Sequence, residues 1–89
     1  MNKVAFKNLL IYFKQLLIDK KLQTLKETLL EYIAWLCYSI VHFKKDYIEY
    51  LTQLNSILTY INTDNYEDLY VYLEDNILYW DLNLDEEDY

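Results

Sequence analysis

The sequence predicts an all-α protein, folded as a small antiparallel bundle of three to four helices. In four segments apolar residues recur at three- and four-residue spacing, which is typical of amphipathic helices. The chain has no glycine and no proline, and β-hairpins depend on glycine for their turns. An AT-rich genome would also explain that absence. A hydrophobic fraction of 54% in 89 residues favours one folded domain over residues 1–89.

The first predicted helix covers residues 3–20. Lysines at positions 3, 7, 14 and 21 form a narrow stripe beside its apolar face. A second apolar line, seven residues apart, lies beyond those lysines: Val4, Ile11 and Ile18. One apolar face is enough for a monomer, so this second line predicts self-association and a homodimer.

The second helix is predicted over residues 25–44. Thr24 and Glu27 have the spacing of a capping box at its start. Its back half, YIAWLCYSIVHF, is apolar nearly all round, which predicts the central and most buried helix. Lys44 and Lys45 follow at the C-terminal end, where the helix dipole favours cations.

Asp46 and Asp64 are the predicted caps of the third and fourth helices. The fourth helix would direct one set of residues inward: Tyr66, Leu69, Tyr70, Leu73, Ile77 and Trp80. A β-hairpin is the alternative for this segment, because LYVYL and ILYWDLNL are rich in strand-forming residues. An acidic tail is expected from about residue 82 onward.

Positive and negative charges are segregated along the chain. Residues 1–45 hold all eight lysines and three of the acids, a net charge of +5. Residues 46–89 hold no lysine and twelve acids, a net charge of −12, which accounts for the total of −7. Net charge governs association more than fold, so this asymmetry predicts an electropositive partner. The alternative is that the acidic half docks on the basic half, within the chain or across a dimer.

The acids of the fourth helix recur in rows that run alongside its tyrosines. Glu67, Glu74 and Asp81 repeat every seven residues, with Asp68 and Asp75 beside them. A rigid set of carboxylates can engage the lysine-rich groove with which proteins grip nucleic-acid phosphates. The predicted partner-binding residues are Glu67, Asp68, Glu74, Asp75, Asp81, Asp85, Tyr70, Tyr72, Tyr79 and Trp80.

In composition and charge layout the chain resembles small acidic inhibitors that phages and mobile elements use against restriction or CRISPR enzymes. It also resembles the acidic immunity proteins that block nuclease toxins. The resemblance implies a non-catalytic protein that occupies the basic nucleic-acid-binding groove of a partner protein. The alternative is a structural or assembly protein whose apolar helix faces drive self-association, with the acids only a solvated surface.

The sequence offers little for catalysis. Cys37 and His42 are the only candidates for a nucleophile and its base, and five residues apart on a helix they point in different directions. We expect a buried thiol, a packed histidine and no enzymatic activity. We expect neither metal nor cofactor, and no direct binding of nucleic acid or membrane. Without a signal peptide or a long apolar run, a cytoplasmic location in the host cell is expected.

Overall fold

The computed structural model describes residues 1–84, which form four helices. They are α1 (Lys3–Ile18), α2 (Leu22–Phe43), α3 (Ile48–Asn62) and α4 (Tyr66–Asn83). The predicted helical bundle is therefore confirmed. The β-hairpin alternative is wrong for the fourth segment, which is helical through Asn83. Asp85 and the rest of the predicted acidic tail beyond Leu84 lie outside the described residues.

Short turns join the helices, so neighbours along the chain run antiparallel. α1 packs most extensively against α4, and α2 packs against α3. The core is formed by apolar residues from all four helices, with Phe6, Leu36, Ile57 and Trp80 as examples. Because the number of helices is even, the start of α1 and the end of α4 lie at the same end of the bundle.

α2 is not the central helix that its composition predicts. Leu25, Leu29 and Leu36 are buried, but a different side of the same helix faces outward. On that side Tyr38 and Val41 are 54% and 64% exposed, and Phe43, the last residue of the helix, is 61% exposed. When a helix has apolar residues on every side, its sequence alone does not indicate which side packs against the rest of the bundle.

The predicted side-chain caps are wrong at three helix starts. α2, α3 and α4 begin after Lys21, Tyr47 and Asn65, and none of these makes a capping hydrogen bond from its side chain. The described residues hold one such cap, at α1, where the Asn2 Oδ1 atom accepts from the Ala5 amide at 2.8 Å. Tertiary packing, rather than capping chemistry, therefore sets the other boundaries.

Each of the three turns contains a residue with positive φ. Lys20, Lys44 and Asp64 have φ angles of 58°, 54° and 57°. This left-handed conformation is usually given to glycine, because a Cβ atom is crowded there. The bundle thus closes its turns without glycine, at a small cost in conformational energy.

Candidate interaction site

The seven-residue row of acids on α4 lies against the lysine stripe of α1. The Lys7 ammonium is 2.7 Å from a carboxylate oxygen of Asp81, and the Lys14 ammonium is 3.4 Å from one of Glu74. Lys14 also lies 5.2 Å from the centre of the Tyr70 ring. The expected ladder of unpaired carboxylates is therefore wrong for Glu74 and Asp81, which amino groups of the same chain neutralise.

The physical reason for this pairing is a shared repeat. The lysines and the acids both recur every seven residues, and the residue numbers in each pair add up to 88. When two antiparallel helices share a seven-residue repeat, a lysine of one row lies opposite an acid of the other row at every repeat. The sequence contained this signal, but it becomes visible only once α1 and α4 are known to be neighbours.

The third acid of the row, Glu67, falls beyond the end of α1. The register predicts Lys21 as the partner of Glu67, but Lys21 lies beyond Ile18, the last residue of α1. Glu67 instead helps to line an open, largely apolar cavity of about 370 Å³ between the end of α1 and the start of α4. The remaining lining residues are Leu17, Ile18, Lys20, Leu22, Tyr66 and Tyr70.

A second row of acids, Asp68 and Asp75, points away from α1. Both side chains are exposed. Neither makes an ion pair or a side-chain hydrogen bond within residues 1–84. At a rise of 1.5 Å per residue, their α-carbons are about 10.5 Å apart along the helix. This row matches the expectation of outward, unpaired carboxylates.

Two of the predicted tyrosines lie beside Asp68 and Asp75, on the side of α4 that is nearer to α3. Tyr72 and Tyr79 each follow one of these acids by four residues, which makes them helix-surface neighbours. The Tyr79 hydroxyl donates a hydrogen bond to Glu49 of α3 at 3.2 Å. Tyr72 packs against Tyr60, with ring centres 5.3 Å apart, and burial raises the pKa of its phenol. We call the surface formed by Glu49, Asp68, Tyr72, Asp75 and Tyr79 the α3/α4 face.

Trp80 belongs to the core and not to a contact surface. It is 2% exposed, and its indole Nε1 atom donates a hydrogen bond to the buried Gln53 Oε1 atom at 3.0 Å. The predicted role in partner contact is therefore wrong for this residue, whereas its inward position in the fourth helix is confirmed.

The predicted self-association residues are exposed. Val4, Ile11 and Ile18 are 48%, 43% and 51% exposed along the outer side of α1. α4 adds Val71 and Leu78 at 55% and 56% exposure, also seven residues apart. The paired lysines and acids lie between these two apolar lines. We call this surface the α1/α4 face; sequence reasoning found its α1 half and missed its α4 half.

Cys37 and His42 both lie on the exposed surface of α2. Cys37 is exposed, not buried as expected, and forms no disulfide. His42 is exposed and packs on Tyr38, with ring centres 4.2 Å apart. Within residues 1–84, no group of three or more His, Cys, Asp or Glu side chains is placed to hold a metal ion.

None of the four described helices combines the length and apolar character that crossing a membrane requires. No protein-family model, curated protein sequence or solved structure matches the chain significantly. Its own surfaces are therefore the basis for any functional proposal.

Proposed function

We propose that the protein is a non-catalytic inhibitor whose α3/α4 face occupies a basic, nucleic-acid-binding groove on a partner protein. The observation that carries this proposal is the separation of charge in three dimensions. Residues 46–84 contain eight acids, all of them exposed, and no lysine. Among these eight acids, only Glu74 and Asp81 pair with lysines of α1. The side of α4 that is turned away from α1 therefore keeps its negative charge.

Carboxylates have the chemistry that such a groove recognises. Proteins that grip double-stranded DNA do so largely through lysine and arginine contacts to its phosphates, and carboxylates can engage the same side chains. Asp68 and Asp75 stand on a packed helix, so partner binding costs little backbone ordering. Tyr72 and Tyr79 add contact area next to the charges, and exposed tyrosine rings can also stack on arginine.

The seven-residue row of Glu67, Glu74 and Asp81 contributes less to this site than the sequence suggests. Asp81 would have to give up its 2.7 Å ion pair with Lys7 before a partner's cation could replace it. The proposed contact set is therefore the α3/α4 face together with Glu67 and Asp64, which line a notch at the start of α4. Both acids are exposed.

A competition assay tests the proposal. A fluorescent DNA duplex is bound to each of a panel of purified restriction endonucleases, CRISPR effectors and nuclease toxins. The protein is then added, and displacement is followed by fluorescence anisotropy. We expect displacement from at least one enzyme, and weaker competition at higher salt because the attraction is electrostatic. Absence of displacement from every enzyme in the panel would overturn the proposal.

Charge reversal locates the site. Asp68→Lys with Asp75→Lys should weaken competition at least about tenfold, because each substitution replaces attraction by repulsion. Glu27→Lys with Glu31→Lys is the matched control, since it makes the same charge change at exposed positions of α2. Equal competition by both double variants would show that overall charge, and not the α3/α4 face, is responsible.

A second candidate function is assembly, in which self-association is itself the role of the protein. The exposure of Val4, Ile11 and Ile18 favours it, because an apolar line of this length is unusual on a solvated helix. Ile11→Asp separates the two candidates. Under the inhibitor proposal this variant still displaces DNA, whereas under the assembly proposal the higher-order particle and its function are lost together.

A further inference from the structure

We infer that the α1/α4 face binds the same face of a second copy, with the two α1 helices antiparallel across a two-fold axis at Ile11. This inference does not depend on the inhibitor proposal, because it uses a different surface. It extends the predicted self-association by adding α4, the position of the axis and the role of the ion pairs.

The apolar line on α1 is self-complementary. Val4 and Ile18 lie seven residues to either side of Ile11. When two copies of α1 pack antiparallel with their Ile11 residues opposed, Val4 of each copy therefore lies level with Ile18 of the other. A two-fold interface requires this kind of reciprocal match, in which one patch serves both subunits.

α4 continues the same symmetry. In the register set by the ion pairs, Leu78 lies within one residue, about 1.5 Å, of the level of Ile11. An axis that crosses α1 at Ile11 therefore also crosses α4 near Leu78. The exposed Val71 lies at the level of Ile18 in the same way. Both helices thus offer apolar contacts at the levels that the symmetry demands.

The ion pairs make this face electrostatically compatible with a copy of itself. About the axis, Lys7 of one copy lies within one residue of the level of Lys14 of the other, and unpaired lysines there would repel. Each lysine already has a carboxylate beside it, from Asp81 or Glu74. At each of the two levels the dimer therefore gathers two positive and two negative groups, which favours association over repulsion.

The available area is just large enough for a specific interface. α1 has 16 residues, so the face is about 24 Å long at 1.5 Å per residue, and two adjacent helices make it about 20 Å wide. The projected area is about 500 Å² per copy, or about 1,000 Å² for the pair, which is the lower bound for a specific interface.

Cysteine cross-linking tests the axis directly. Helices that pack 8–10 Å apart bring facing α-carbons within about 3.4–5.4 Å, which overlaps the range for a disulfide. Ile11→Cys in a Cys37→Ser background should give a covalent dimer under mild oxidation. Ala5→Cys in the same background is the control, because it is exposed on another side of α1. Equal cross-linking at both positions, or none at position 11, would overturn the proposed axis.

Sedimentation or light scattering tests the dimer without a covalent trap. The wild type should have roughly twice the 11.0 kDa mass of the chain. Ile11→Asp should raise the dissociation constant about 100-fold or more, because it places two carboxylates together at an apolar axis. Val41→Asp, at a more exposed apolar position of α2, should remain dimeric. A wild type that is monomeric up to a millimolar, or dissociation by Val41→Asp instead, would contradict the inference.

Discussion

Lys7 and Asp81 are separated by 74 positions in the chain, yet their charged groups meet at 2.7 Å. The contact marks the register in which α1 packs against α4. The lysine side chain is 22% exposed and the carboxylate 55% exposed, so water screens much of the attraction. The pair therefore contributes little to the stability of the fold.

A double-mutant cycle should measure that weak coupling. Lys7→Met and Asp81→Asn, alone and combined, should give a coupling energy of about 0.5 kcal/mol in urea unfolding, as expected for partly exposed pairs. The coupling should shrink in high salt. A coupling above 2 kcal/mol would mean that the pair is far less hydrated than its exposure indicates.

Replacing Lys44 with glycine should stabilise the protein. Lys44 has a φ of 54°, and glycine removes the steric cost of a Cβ atom in that conformation. We expect a gain of about 0.5–1 kcal/mol in the free energy of unfolding. Lys45→Gly is the matched control, because it removes the same charge at a neighbouring residue without positive φ. If both variants gain equally, charge rather than backbone conformation is the cause.

Removing one partner of the buried hydrogen bond from Trp80 to Gln53 should destabilise the protein. Gln53→Leu leaves the indole N–H group without its partner, and we expect a loss of about 1–3 kcal/mol in the free energy of unfolding. Unfolding followed by circular dichroism measures this loss. Thr52→Leu, at an exposed neighbouring position, is the control and should change stability much less.

We expect the folded protein to lose stability at alkaline pH as Tyr72 ionises. Burial raises the pKa of this phenol above its ordinary value of 10.0. The folded state therefore holds the proton more tightly than the unfolded state. The resulting stabilisation is complete below pH 10 and is lost as the pH rises through the folded-state value. Tyr72→Phe should remove this part of the alkaline loss.

The titration itself can be measured by ultraviolet absorbance. The difference between the wild-type and Tyr72→Phe curves isolates the ionisation of one phenol. Its midpoint should lie above pH 10, in the direction given by burial. A midpoint at or below pH 10 would show that the ring is solvated in solution.

The helices could be predicted from the sequence, because the spacing of apolar residues and the polarity of side chains are local properties of the chain. The inward residues of α4, such as Leu69, Leu73 and Trp80, follow directly from three- and four-residue spacing and are buried. Which helices pack against each other is not a local property of the sequence. Whether Glu74 and Asp81 face solvent or lysines depends on which helix lies beside α4, and that follows only from the assembled bundle.

The same limit explains the error at α2. A helix that is apolar all round is compatible with burial on every side or with one exposed side, and only packing decides between them. Tyr38 and Val41 are exposed because neighbouring helices cover the opposite side. For Asp68 and Asp75, in contrast, polarity alone predicts an outward position, and both are exposed.

Every lysine of the chain precedes Asp46, so α3 and α4 contain no primary amine. Reagents that couple to amines, including biosensor surfaces and ester-based dyes, can therefore attach only through the α1 and α2 half or through the amino terminus. Immobilised in this way, the molecule presents its carboxylate- and tyrosine-bearing side to the solution, already oriented for capture measurements.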